Sequence, residues 1–226
     1  MQIYFVIQIG LWIVVNPSST AFQRAERWRL CGLHWSCPVQ SSWVAYDKIS
    51  PNLKRAVLVS EDDIFFQHMG VRVEDMQKAW AKNQQSGGKS KTALRGGSTI
   101  TQQLAKNLFL SSEQNYFRKA QELLIAGLLE TILSKQRLYE IYLNSVEWGE
   151  GIFGIGAASQ HYYGISPASL NREQSAALAS ALPAPKCFDK TQYCRKANIH
   201  FPTRQDFILE NMDRVALAPI QKPKVR

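Results

Sequence analysis

A mainly α fold built as one globular domain is what the chain predicts, on three observations. Apolar residues recur at helical spacing along most of its length, alternating strand pattern is scarce, and clusters of glycine and proline punctuate the helical stretches. The 226 residues are 45% hydrophobic, 11% aromatic and 20% charged, enough apolar material for one sizeable core. That composition excludes a disordered chain, a collagen, a coiled-coil rod and a multi-span membrane protein. No internal repeat is present. Twenty-seven Lys and Arg against eighteen Asp and Glu leave +9, which suits an anionic partner such as a phosphorylated substrate or acidic lipid headgroups.

The first fifteen residues are almost wholly apolar, with Gln8 the only polar break, and Asn16-Pro17 end the run. As a helix they reach about 22 Å, short of a hydrocarbon core of roughly 30 Å. No basic residue precedes the run, no cleavage site is evident, and Arg24, Arg27 and Arg29 follow it. Residues 1–17 are therefore read as a hydrophobic segment, part of a signal-anchor whose basic start lies outside this chain; a buried terminal helix or strand is the alternative. Residues 18–226 form the globular domain. Four cysteines fall in the local pairs Cys31/Cys37 and Cys187/Cys194, which fits small disulfide loops in an oxidising compartment. Free thiols are the competing reading. Zinc at Cys31, His34 and Cys37 is disfavoured by the spacing.

Along the domain, Leu53–Val59 leads into Glu61, and Val73, Met76 and Trp80 then recur at helical spacing up to Gly87-Gly88. Residues 83–97 lack apolar periodicity, are rich in glycine and carry Lys89, Lys91 and Arg95, so they read as a loop, with a hinge over the site as its expected role. Helices are expected at about 99–110, 114–133, 135–145, 157–162, 172–182 and 203–217, with a glycine-punctuated turn at 148–156. Gly88-Lys89-Ser90 imitates the end of a phosphate-binding loop, but Asn83 stands where the earlier glycine must be. Ser86-x-x-Lys89 and Ser169-x-Asn171 imitate penicillin-binding motifs, yet no Lys-Thr-Gly accompanies them.

Three segments carry chemistry. In STITQQLAKNLFL (98–110), Thr99-x-x-Gln102 has capping-box spacing. On the helix it starts, Thr99, Gln102, Gln103, Lys106 and Asn107 share an arc of roughly 140° opposite Ile100, Leu104, Ala105, Leu108 and Phe109. Amides, a carboxamide and an ammonium together suit an oxygen-rich anionic ligand, although a solvated face accounts for the same pattern. Arg95-Gly96-Gly97-Ser98 precedes the helix N-terminus, a place for an anion. In E-D-x-x-F-x-x-H-x-G, the adjacent carboxylates of Glu61 and Asp62 lie among Val57–Val59 and Phe65-Phe66. Partial desolvation would raise the pKa of at least one of them and make it a proton acceptor; a helix-end acidic pair is the plain alternative. In Arg118-Lys119-x-x-Glu122, two cations precede a carboxylate one turn on, fit to neutralise a diphosphate leaving group or to form a surface ion pair.

Read in order, EDDIFFQHMG, RGGSTITQQLAKNLFL, RKAQE, KQRLYEIYLN and REQSAALASALPAP resemble the five signature motifs of the bacterial peptidoglycan glycosyltransferases, and the short chain resembles their monofunctional members. The similarity runs from about Trp43 to Pro185. It implies a single lysozyme-like, mainly helical domain facing the periplasm on an inner-membrane anchor. The implied substrates are lipid II and the lipid-linked growing glycan, joined with inversion at the anomeric carbon and release of undecaprenyl diphosphate. Glu61 takes the general-base role and Glu122 that of the second glutamate near the donor diphosphate. Ser98, Gln102, Gln103, Lys106, Asn107, Arg118 and Lys119 match substrate-lining positions. The resemblance also implies a divalent cation, Mg or Mn, for which the sequence has no dedicated ligand cluster, and it brings other wall-building proteins into view as partners. A glycan-cleaving enzyme of similar fold and a non-catalytic wall scaffold are the competing functions. A nucleic-acid partner is disfavoured, because the basic residues are spread out and no matching motif occurs.

Overall fold

The computed structural model describes residues 2–32, 39–72, 98–110, 116–188, 193–194 and 199–217. It is mainly helical, as expected. Helix α1 (Gln2–Leu11) lays one stripe, Phe5 and Ile9, on the domain, and Trp12 just beyond its end continues that stripe. Phe5 and Trp12 meet the Phe109 ring at 5.0 and 5.1 Å between centroids. Ile3, Tyr4, Ile7 and Leu11 stay exposed on the other side. The end of this segment is tied down by Arg137, which donates to the carbonyls of Trp12 (2.8 Å) and Val15 (3.0 Å) and to Asn16 Oδ1 (2.8 Å). Carbonyls orphaned at a helix end thereby find a cation. Among the described residues, no helix is long and apolar enough to cross a membrane.

Helix α2 (Ala21–Cys31) starts at a reciprocal capping box between Thr20 and Gln23. Its buried Glu26 accepts from Arg29 and from Lys186, the latter at 2.6 Å, so α2 is joined to the far end of the chain. Cys31 and Cys187 are both disulfide-bonded, so neither is a free thiol. The expected partner Cys37 lies outside the described residues, as does His34, and of Cys194 only the backbone, in a short strand, is described.

Helix α3 (Pro51–Glu61) is launched by the Ser50 cap with proline in its first turn, where the missing N–H costs nothing. The expected helix around Val73–Trp80 and the loop at 83–97 lie outside the described residues. Helix α4 (Ile100–Phe109) is capped by the Thr99 hydroxyl, which accepts from the Gln102 N–H at 3.2 Å. Helix α5 (Tyr116–Ile132) and helix α6 (Lys135–Ser145), the latter capped by Ser134, both pack on α4.

After α6 the glycine-rich turn is a small hairpin. Strand β2 (Glu147–Gly149) pairs antiparallel with β3 (Ile152–Phe153), and β3 pairs in parallel with β1 (Gln40–Ser41). Runs of two or three residues are too short for alternation to show in sequence. Helix α7 (Gly154–Tyr163) begins three residues earlier than periodicity suggested, because Gly154 takes φ +77° and turns the chain straight from strand into helix. Helix α8 (Arg172–Ala181) starts at an Asn171/Gln174 capping box and leads to the short α9 (Pro185–Phe188). Strands β4 (Tyr193–Cys194) and β5 (Ile199–His200) precede α10 (Phe201–Asn211). The last helix was expected to run to 217. Instead it gives way to a 3-10 turn at Met212–Arg214 and then to extended chain.

The helices form two groups. Helices α3, α8 and α10 pack together, and α4 sits among α2, α5 and α6. Between them runs an aromatic core whose largest fully buried members include Trp148, Tyr139, Tyr142 and Phe65. A Cβ at Gly154 would lie 2.6 Å from the Asn144 carbonyl oxygen, in a backbone conformation that L side chains rarely adopt. Gly154→Ala is expected to cost about 2–3 kcal/mol of stability. Urea denaturation checks this: the midpoint should drop with an unchanged slope.

Candidate active site

The site is built around the abrupt end of α3. Glu61 is the last helical residue, and Asp62 caps the helix with its own N–H on the Leu58 carbonyl (2.8 Å). The Asp62 side chain turns inward and is fully buried, with two hydrogen-bond partners and the Arg72 guanidinium 3.8 Å from Oδ1. His68 Nε2 lies 2.9 Å from each carboxylate oxygen, and the Ile100 N–H donates to Oδ2 at 3.1 Å. The Gly70 N–H donates to His68 Nδ1 at 3.1 Å, which makes Nδ1 the acceptor and Nε2 the donor. An anion thus meets the first N–H of α4, where the helix dipole favours it.

The rest of E-D-x-x-F-x-x-H-x-G supports the same place. The Gly70 carbonyl accepts from Thr99 Oγ1 at 2.6 Å. Gly70 has φ +75°, and a Cβ there would come within 2.7 Å of Glu130 Cγ. Glu130 in turn accepts from Thr101 Oγ1 and from Lys135 Nζ, whose ammonium also stands 4.3 Å over the Phe65 ring. Of the acidic pair, Asp62 is therefore engaged in holding α4, and Glu61 is the carboxylate left at the edge.

Glu61 is 10% exposed at its side chain. The Ser60 hydroxyl lies 2.7 Å from Oε1, Arg204 donates to the same oxygen at 3.1 Å, and the Gln103 amide donates to Oε2 at 2.9 Å. A carboxylate offers about four lone-pair sites, so three donors leave one for a hydroxyl proton. Arg204 also donates to the Ser60 carbonyl at 2.8 Å, pinning the last turn of α3 to α10. Sequence reading missed Arg204. It lies 143 positions from Glu61, in a helix read by apolar periodicity alone, and only packing of α10 on α3 brings the two together.

The second carboxylate, Glu122, is buried on α5 and is bonded by both cations of its own helix, Arg118 at 3.1 Å and Lys119. Lys119 also donates to Gln102 Oε1 at 3.3 Å. Adjacent amides of α4 therefore reach the two carboxylate centres: Gln103 touches Glu61, and Gln102 meets the cation that holds Glu122. Gln102 is wholly buried, and its Nε2 has no hydrogen-bond partner among the described residues. Lys106, one turn on, stands 5.7 Å over the Phe22 ring of α2. Burial holds its ammonium below the usual lysine value; Glu122 and Glu61 oppose that shift, whereas Arg118 and Lys119 reinforce it. Asn107 is buried on the same helix, and Ser98 is half-buried just before the cap. The predicted polar arc exists, but it is not a solvated face: Thr99, Gln102 and Asn107 are buried, and Gln103 and Lys106 are half-buried. Gln102, Gln103 and Lys106 meet other charged groups of the molecule, which periodicity cannot report.

The arrangement offers a proton acceptor at Glu61 and, across α4, three cations for an anionic group. A metal fits it poorly. Glu122 is taken up by Arg118 and Lys119 and Glu61 by three donors, and among the described residues no group of three or more His, Cys, Asp or Glu side chains could hold an ion.

The family model described as Transglycosylase matches residues 33–213. A curated relative from Cupriavidus metallidurans, called a biosynthetic peptidoglycan transglycosylase, is 59% identical over 218 residues, covering 96% of this chain and 92% of the relative. Relatives of the same description are 55% identical in Cupriavidus pinatubonensis (96% and 85% covered) and 52% identical in Ralstonia nicotianae (96% and 92%).

Asp62→Ala removes the acceptor of both His68 and the Ile100 N–H. A loss of about 2–4 kcal/mol is expected, since hydrogen bonds to a buried charge are the strong ones. Chemical denaturation measures it, and a variant as stable as the wild type would show that α4 does not depend on this carboxylate.

Proposed function

The chain belongs to the transglycosylase family and is a glycosyltransferase, and from that premise we propose that it polymerises peptidoglycan glycan strands from lipid II. Glu61 removes the proton of the acceptor N-acetylglucosamine 4-hydroxyl as its oxygen attacks C1 of the donor N-acetylmuramic acid. The bond from C1 to the diphosphate oxygen breaks, the electron pair leaves with undecaprenyl diphosphate, and C1 is inverted. The cost of that departure is negative charge on the diphosphate, and Lys106, Arg118 and Lys119 are the groups that stabilise it. Glu122 keeps Arg118 and Lys119 in place when no diphosphate is bound. Ser98, Gln102 and Asn107, which match substrate-lining positions of the family's motifs, are assigned to hydrogen-bonding the substrate.

The observation that carries this reading is the position of α4, whose neighbouring amides Gln102 and Gln103 contact the cation side and the base side of one site. A glycosidase would need its second carboxyl group to carry a proton to the leaving oxygen. Glu122 instead has its two oxygens occupied by Lys119 and Arg118. The proposal extends to location, with the domain at the periplasmic face of the inner membrane, where the lipid-linked substrate resides. Supporting this are the disulfide bonds of Cys31 and Cys187, which suit an oxidising compartment, and the exposed apolar stripe of α1, followed in the chain by Arg24, Arg27 and Arg29.

Glu61→Gln is expected to lower lipid II polymerisation in detergent by about 10²–10⁴-fold, read as glycan length on gels. Retained polymer, or digestion of preformed glycan by the wild type, would overturn the assignment. Lys106 gives a pH prediction. Because burial lowers its proton affinity, its charge is lost at a lower pH than that of an exposed lysine, and activity falls with it as pH rises. Arginine stays charged, so Lys106→Arg should move the alkaline limb of kcat/KM to higher pH.

A further inference from the structure

Beyond the groups already given roles, a buried phenol is connected to the base. Tyr142 of α6 is fully buried, and its hydroxyl donates to Gln103 Oε1 at 3.0 Å. The Gln103 Nε2 then donates to Glu61 Oε2 at 2.9 Å. The chain has a direction. Tyr142 supplies a proton to the amide oxygen, which turns the nitrogen end of the amide toward the carboxylate. A reversed amide would set oxygen against oxygen at Glu61 and leave the phenol to accept instead. Tyr142 itself has little room to move: its buried ring stacks on that of Tyr139 at 6.5 Å with 20° between planes, a contact of ring faces that does not involve the Tyr139 hydroxyl, which donates to the Lys54 carbonyl at 2.6 Å.

The other oxygen of Glu61 has different support, from Ser60 and Arg204. Among the described residues, the Gln103 amide is the donor on Oε2. Remove its orientation, and the flexible glutamate is held from one side only, free to swing toward the guanidinium. A general base must lie within hydrogen-bond reach of the proton it takes, so a small rotation of the carboxylate costs rate.

We propose that Tyr142 is a positioning residue for the reaction: through Gln103 it fixes the orientation of the Glu61 carboxylate. The inference rests on the reading of Glu61 as the base. It also assigns Gln103, expected from sequence to line the substrate, to holding the base as well.

The test is kcat/KM against pH for lipid II polymerisation by the full chain, comparing wild type, Glu61→Gln, Tyr142→Phe, Tyr139→Phe, Gln103→Leu and the Tyr142→Phe/Gln103→Leu double variant. Tyr142→Phe keeps the ring and loses one hydrogen bond, so kcat should fall about three- to tenfold with KM unchanged. Its acid limb should move to higher pH, because a donor to the charged carboxylate is no longer held in place. Tyr139→Phe loses an equivalent core hydrogen bond and should leave the acid limb where it is. In the Gln103→Leu background, Tyr142→Phe should change nothing further. Should Tyr142→Phe not fold, Gln103→Leu alone must show the displaced limb. An inactive Glu61→Gln together with an unmoved limb in Tyr142→Phe, or additive effects in the double variant, would overturn the relay alone. An active Glu61→Gln would overturn the base and the relay together.

Discussion

A buried carboxylate at the end of a helix has to be met by donors, and the way Asp62 meets this requirement organises the site. Its two oxygens take His68 and the first N–H of α4, so the end of one helix and the start of another become a single joint. Everything chemically useful hangs from that joint. Glu61 precedes Asp62 by one residue, and Gln102 and Gln103 follow Ile100 by two and three. If the joint shifted, Glu61 and the Gln103 amide that bonds it would shift relative to each other. Gly70 and Thr99 close the same corner from the other side, and the short distance to Glu130 leaves no room there for a side chain.

Charge inside the molecule is the second constraint. Five ionisable groups, Glu61, Lys106, Arg118, Lys119 and Glu122, share the surroundings of α4, where an isolated charge would be expensive. The cost is met by distribution. Each carboxylate has at least two donors, and the cations exceed the carboxylates locally by one, more once Arg204 is counted. A resting site with that excess has a standing affinity for an anion, and an incoming diphosphate would find partners already positioned. The lowered proton affinity of Lys106 comes first from its burial; Glu122 and Glu61 oppose the shift, and Arg118 and Lys119 add to it.

The apolar N-terminal segment is mechanically part of this assembly. Phe5 and Trp12 rest on Phe109, the last residue of α4, and Arg137 of α6 grips the segment's end. Two residues after Arg137 on that helix comes Tyr139, and three further on Tyr142, whose hydroxyl reaches Gln103. The outer, bare stripe of α1 is thus joined through packed side chains to both ends of the helix that carries the site. Whatever surface that stripe meets, its orientation relative to Glu61 is set by these contacts.

Periodicity and the Thr99 capping signal determined the helical class, the starts of α4 at Thr99 and of α8 near residue 172, and the residues that carry charge and amide groups. These are local properties of a backbone that must satisfy its own hydrogen bonds. Spacing also put Arg118 and Glu122 on one helix face, which needs nothing but the turn of the helix. What the residues did not reveal was which side of α4 is wet, because a polar arc looks the same whether it faces water or buried ions. Nor did they show that Asp62 rather than Glu61 takes the structural role, since adjacent carboxylates differ only in the partners that folding brings. Arg204 and Tyr142 reach the site from 143 and 81 positions away. Such contacts come from helix packing and leave no spacing rule in the chain, so only the tertiary structure decided them.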